Sequence, residues 1–188
     1  LHLCSHNLET INNTTSTTTN KLLLEVCMAA KYEAQSLKNY HAQYRGNNTD
    51  LNTNICTVLA RSFADIGDIV RGRDIFRGND EEKKKRDKLD ENLRKIFKKI
   101  HEGLKNGAQT YYEDDTDKKN FYRLREDWWT ANRHTVWEAI TCDAWGYRYF
   151  HATCNSADGN SKSQTNDKCT CNNGDVPTYF DYVPQFLR

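Results

Sequence analysis

Both prolines of this 188-residue chain, Pro177 and Pro184, lie near its end. Proline removes a backbone donor and clashes with the preceding helical turn, so its absence elsewhere permits long helices almost throughout. The apolar spacing uses that freedom. Leu23, Val26, Cys27, Ala30, Ala34, Leu37 and Tyr44 recur every three or four residues, which predicts a helix over 22–44 with Gly46 placed to end it. Ile55, Val58, Leu59, Phe63 and Ile66 form a second stripe, with Gly67 as its expected stop. Asp80 reads as the N-cap of a third helix, in which Leu89, Leu93, Ile96, Phe97 and Ile100 share one face and Gly103 follows the end. Glu81 and Glu82 suit its positive start. A fourth helix is predicted over 116–141 on Phe121, Leu124, Trp128, Ala131 and Ala139. No strand-length alternation or internal repeat competes, so the fold class is all-α.

Seven cysteines, at 4, 27, 56, 142, 154, 169 and 171, set the next constraint. Their density and wide spacing point to a disulfide framework in an oxidising compartment. The odd count leaves at least one thiol free or without its partner, and Cys4 is the expected one, its partner lying upstream of Leu1. Residues 154–175 are mostly Asn, Ser, Asp, Gly and Cys, which reads as a loop held by cysteines. If Cys56 begins the second helix and Cys142 ends the fourth, packed helices bring both to one end of a bundle, and Cys56–Cys142 is the expected core bridge.

A net charge of +1, from 27 basic and 26 acidic side chains, gives no general case for nucleic acid; any electropositive site must be a local patch. No apolar run is long enough to span a membrane, and no signal peptide is visible. The polar tract "INNTTSTTTN" is a loop, and the sequons at Asn12, Asn13 and Asn47 fall in predicted loops. With 4 Trp, 10 Tyr and 7 Phe, the core is aromatic. Trp128 and Trp129 are expected within it. Trp137 points away from the main stripe and is the surface candidate for stacking on bases or sugars.

The stretch "ARSFADIGDIVRGRDIFRG", residues 60–78, is the densest in chemistry-bearing side chains. Gly67 and Gly72 frame a phosphate loop, but Arg73 and Asp74 stand where Lys and Ser/Thr are needed. Asp65, Asp68 and Asp74 lie among Arg61, Arg71, Arg73 and Arg77, so ion pairs pinning a helix end are expected ahead of catalysis. His151, Cys154, Cys169 and Cys171 could supply four zinc ligands, yet their spacing is not paired C-x-x-C, and disulfides are the stronger reading. Cys142 and His134 lie about 12 Å apart along one helix, too far for proton transfer.

Taken together, "LHLCSHNLETI", "LLLEVCMAAKYEAQSL", "ICTVLARSFADIGDIVRGRDIF", "FYRLREDWWTANRHTVWEAITC" and "VPTYFDYVPQFLR" resemble a Duffy-binding-like domain. The likeness is to the alpha class, found at the head of the malaria parasite's erythrocyte membrane protein 1 family. It runs nearly the whole chain in the family's order. The resemblance implies a disulfide-linked helical domain of three subdomains on the extracellular face of the infected cell. This chain then holds the end of the first subdomain and most of the second. Residues 1–50 carry the first long helix, 51–153 the helical core with a variable insertion at 79–120, and 154–188 the cysteine-bearing loop and the start of the next helix. On this reading "SFADIGDIVRG" is a joint that turns the chain toward the insertion.

The resemblance also implies adhesion and rosetting rather than catalysis, with no cofactor. Expected partners are host erythrocyte surface receptors, heparan sulfate or heparin-like glycans, blood-group glycans, complement receptor 1 and antibodies. The runner-up is an antigenic scaffold whose ligand site lies in neighbouring domains. A candidate glycan face is visible in the third helix. Lys84, Lys88, Lys95, Lys98 and Lys99 cluster opposite its apolar stripe, with Arg86 or Arg94, and with Arg71, Arg73 and Arg77 as further cations. The competing reading is a solvated face, with Glu91 and Glu102 pairing to Lys95 and Lys98.

Overall fold

The computed structural model describes residues 19–47, 54–75, 78–105, 107–112, 120–149, 151–155 and 161–188. Five helices dominate it: α1 (Thr19–Asn47), α2 (Ile55–Arg71), α3 (Asp80–Glu102), α4 (Gly107–Tyr111) and α5 (Tyr122–Thr141). Cys4, Arg77, Asn12 and Asn13 lie outside the described residues.

Local chemistry explains the helix limits. Asn54 caps α2 by accepting from the Cys56 backbone N–H at 2.8 Å. The helix does not stop at Gly67. It continues to Arg71, and Gly72 ends it in the left-handed conformation at φ 72°. Gly67 is needed for packing instead: a Cβ there would lie 2.8 Å from Trp129. In α3 the cap is Asn79, one residue before the expected Asp80, and a reciprocal bond with Glu82 completes a capping box. α5 begins later than the spacing predicts, because Phe121 takes a left-handed φ of 55° immediately before it. Among the described residues the strand structure is one two-residue antiparallel pair, β1 (Cys154–Asn155) with β2 (Lys162–Ser163), which the sequence did not predict.

α5 packs against both α1 and α2, and α2 against α1. Leu22, Val26, Ala30, Leu59, Phe63, Val70, Trp129 and Val136 are buried at their junction. Phe63 lies 5.1 Å from both Trp129 and Trp137 between ring centroids. α3 covers another side of α5 through Leu89, Leu93, Ile96 and Phe97, with the Phe97 ring edge-on to Trp128 at 6.1 Å. Trp128 is in the core as expected. Trp137 is not a surface residue: it is fully buried, and its indole N–H donates to Thr170 Oγ1 at 3.1 Å. α5 is enclosed on several sides, so a residue off its main apolar stripe still finds cover.

The disulfides also depart from the expected map. Cys56 bonds Cys169, across 113 residues, and Cys154 bonds Cys171. Cys142 is a free thiol, as is Cys27. The loop after α5 folds back beneath α2, where Tyr147 and Lys168 form a bridge, and so brings Cys169 rather than the end of α5 to Cys56. No helix among the described residues is long and apolar enough to cross a membrane.

Candidate functional site

The joint between α2 and α3 is built from buried arginines. Arg71, 1% exposed, donates through Nε to the Gly67 carbonyl at 3.0 Å and through Nη2 to Asp68 Oδ1 at 2.9 Å. It also donates to Glu126 Oε1 at 3.2 Å and to the Asp181 carbonyl. Arg125 reaches from α5 to the carbonyls of Ile69 and Val70, at 3.1 and 2.6 Å, and to Asp90 Oδ1 on α3 at 3.0 Å. It therefore bonds carbonyls of the last turn of α2, the Ile69 one shared with the Gly72 backbone N–H. Burial pulls the Arg125 guanidinium below its ordinary value, and Asp90 opposes that pull. Asp74 accepts from Arg86 at 3.0 Å and from Gln185 Nε2 at 3.0 Å. The acid–base clustering in this stretch is thus a web of ion pairs at a helix end.

A second hub is Asp181, in a short turn of 3₁₀ helix at Phe180–Tyr182. Its carboxylate accepts from the Trp129 indole at 2.8 Å and from Arg133 at 2.9 and 2.8 Å. Burial alone would lower Arg133, but the hydrogen bond and charge of Asp181 outweigh it and raise the guanidinium above its ordinary value. These contacts lock the C-terminal segment onto α2 and α5. Arg125, Arg133 and Asp181 were not singled out from the sequence. For the two arginines the only signal was charge interleaved with tryptophan in "REDWWTANR", and Asp181 had none.

The zinc set does not assemble, since Cys154, Cys169 and Cys171 are all disulfide-bonded. Burial pushes the Cys142 thiol up, away from a reactive thiolate, and His134 is hydrogen-bonded to its neighbour Thr135.

The lysines of α3 face outward. Lys84, Lys88, Lys95 and Lys98 are exposed, and Lys99 is half-buried. Lys95 pairs with Glu91 at 2.7 Å and holds that carboxyl below its ordinary range; Lys98 lies 3.8 Å from Glu102. Lys84, Lys88 and Lys99 have no ion-pair partner among the described residues. Lys85, omitted from the sequence-based set, is exposed beside them and 3.7 Å from Glu81. From Lys84 to Lys99 the ridge runs about 22 Å along the helix. The arginines divide differently. Arg86 pairs with Asp74 and Arg94 with Asp90, while the more exposed Arg73 pairs with Glu126 at 2.8 Å. Arg71 is buried in the joint and cannot reach a surface ligand, because its guanidinium is consumed by α2, α5 and the C-terminal segment.

The chain matches the Duffy binding domain model over residues 1–188. Among solved structures it is similar to the NTS-DBL1α1 domain of Plasmodium falciparum membrane protein 1 (PfEMP1) from the varO strain. Identity is 44%, over 99% of this chain and 40% of that one, at a TM-score of 0.79. It also resembles the DBLβ domain of a PfEMP1 bound to human ICAM-1, with 28% identity over 99% of this chain and 36% of that one, TM-score 0.68. A second PfEMP1 DBLβ domain bound to ICAM-1 shares 31% identity over 99% of this chain and 40% of that one, TM-score 0.66. This chain therefore spans less than half the length of those solved chains. No curated protein matches it. With a family model matched along its whole length and a helical, disulfide-linked architecture shared with these structures, the chain belongs to the Duffy binding domain family and has the Duffy-binding-like fold.

Proposed function

We propose that this chain is an extracellular adhesion module of a variant surface antigen, and that the outward face of α3 binds sulfated glycan on host cells. The observation that carries the reading is the row of cations at Lys84, Lys88, Lys95, Lys98 and Lys99, of which Lys84, Lys88 and Lys99 are not committed to ion pairs among the described residues. Of the further cations, Arg94 lies beside the row and pairs with Asp90, Arg86 turns toward Asp74 on the other side of α3, and Arg73 pairs with Glu126 of α5. Repeating sulfates require several cations along a ridge. Each exposed contact is weak and screened by salt, so affinity comes from their sum. Two DBLβ structures solved with ICAM-1 support the adhesive class. In this reading residues 1–50 close the first subdomain, 51–153 form the core of the second, and 154–188 lead into the next helix.

The test is binding of the disulfide-intact chain to uninfected erythrocytes before and after heparan-sulfate lyase treatment. Binding is expected to fall on treated cells and in high salt. Undiminished binding to treated cells would transfer recognition to another receptor, such as complement receptor 1 or a blood-group glycan. No binding to either would favour an antigenic scaffold with its ligand site elsewhere.

A further inference from the structure

The segment after Cys171 is fastened to the rest of the molecule in two ways. At its start the link is covalent, through Cys154–Cys171. Further along it is polar and reversible. Asp181 is buried, its carboxylate accepts from Trp129 and Arg133, and its backbone carbonyl accepts from Arg71. The Tyr182 hydroxyl lies 3.0 Å from Thr130 Oγ1. Gln185 donates to Asp74 at 3.0 Å and accepts from the Ile75 backbone N–H at 2.7 Å, and Arg188 pairs with Asp68. These partners all belong to α2, α5 and the joint after α2.

Between the two fastenings lies a short hinge, residues 172–175. Asn172, Asn173 and Asp175 are exposed. The turn is closed by the Gly174 N–H on the Cys171 carbonyl at 2.9 Å and the Cys171 N–H on the Asp175 carbonyl at 3.1 Å. At the surface such bonds exchange for water at little net cost. Pro177, just beyond, biases Val176 toward extended backbone. The hinge can therefore straighten without stranding buried groups of its own. The far end behaves differently. Withdrawal of Asp181 leaves Arg133 and the Trp129 indole N–H without their carboxylate, which is costly in a partly dry site. Whatever refills the gap must carry a carboxylate, an amide and a guanidinium at the spacing of Asp181, Gln185 and Arg188. The same segment of a second copy meets that demand.

We propose that two copies of this chain exchange residues 176–188, each laying the segment across α2 and α5 of the other. The bonds that close the single chain are remade in the pair, so no new surface has to be complementary. What opposes exchange is the entropy of association, and concentration drives it. It is favoured wherever copies are held close together. The exchange is independent of the α3 ridge. It is also slow, because the segment must open before it can be traded.

The experiment is size-exclusion chromatography with light scattering on the disulfide-intact chain. The parent, incubated at high concentration, is expected to form a species of twice the monomer mass that persists on dilution. Its return to monomer should follow the rate at which the amides of residues 180–182 open to hydrogen exchange. Asp181→Arg and Arg133→Asp each set like charges against one another within a single chain and within a pair of identical chains, so each alone is expected to stay monomeric. An equimolar mixture of the two is expected to dimerise. There the intact Asp181 of the Arg133→Asp chain closes on the intact Arg133 of the Asp181→Arg chain. A mixture that stays monomeric, with both variants folded by circular dichroism, would overturn the proposal. A parent dimer that falls apart as soon as it is diluted would mark ordinary surface contact and overturn it too. So would a parent that never leaves the monomer, and the parent measurements decide the matter even if a variant fails to fold.

Discussion

At Gly72 a turn, a helix cap and a buried charge meet in one residue. Its φ of 72° ends α2, and a Cβ there would stand 2.7 Å from Arg125 Nη1. Gly72→Ala combines left-handed strain with displacement of a guanidinium that holds the last carbonyls of α2. It should cost about 1–3 kcal/mol in urea denaturation; an unchanged midpoint would mean that Arg125 is free to move. Asp181→Asn is the sharper change. It removes the charge facing Arg133 and leaves that guanidinium half-compensated, at a cost of about 3–5 kcal/mol. The turn at 180–182 should then detach from α5, and hydrogen exchange at its amides would report the loss. Residue-scale legibility followed the physics. Arginines beside aspartates could be read as ion pairs, and Arg71 with Asp68 is one. Burial of an arginine could not be read, because it depends on which carbonyls the rest of the fold leaves open. Trp137 failed for a related reason: its polar partner, Thr170, comes from a loop 33 residues away.

Elements were the most legible scale, since a 3.6-residue stripe is a local signal. α1, α2 and α3 stand close to where their apolar spacing placed them, and Gly103 does follow α3. The disulfides were not legible, because spacing along the chain says nothing about how a cysteine loop folds back. With the Cys56–Cys169 link closing a loop of 113 residues, its removal by Cys56→Ser with Cys169→Ser should cost roughly 5 kcal/mol in the chain-entropy model. Stability equal to the parent would show that the helices alone hold the bundle. Within α2, burial pushes the Asp65 carboxyl above its ordinary value, aided by Asp74 and Glu33 and opposed by Arg188 and Arg86. The folded state therefore binds the proton more tightly than the unfolded state. This contribution is present below the unfolded value, about 3.9, and is lost as pH rises through the folded value. Asp65→Asn should accordingly gain stability relative to the parent as pH rises through that window. A difference in unfolding free energy that stays flat with pH would contradict the assignment.

At the scale of the whole molecule, the aromatic bundle and its buried arginines form a rigid frame, and α3 carries a cationic face across it. That face was legible because lysines opposite an apolar stripe have few places to go except solvent. Which cations remain available was not legible. The distances show that Arg86 and Arg94 are paired and Arg71 buried, leaving lysines as the principal exposed charge. The central claim is that these lysines act together on a sulfated ligand. It is tested most directly by the salt at which a Lys84/Lys88/Lys95/Lys99→Ala variant leaves a heparin column, with helical content checked by circular dichroism. Elution is expected at clearly lower salt than the parent, with the fold intact. Elution at the parent's salt, with the fold intact, would contradict it and place recognition on another surface.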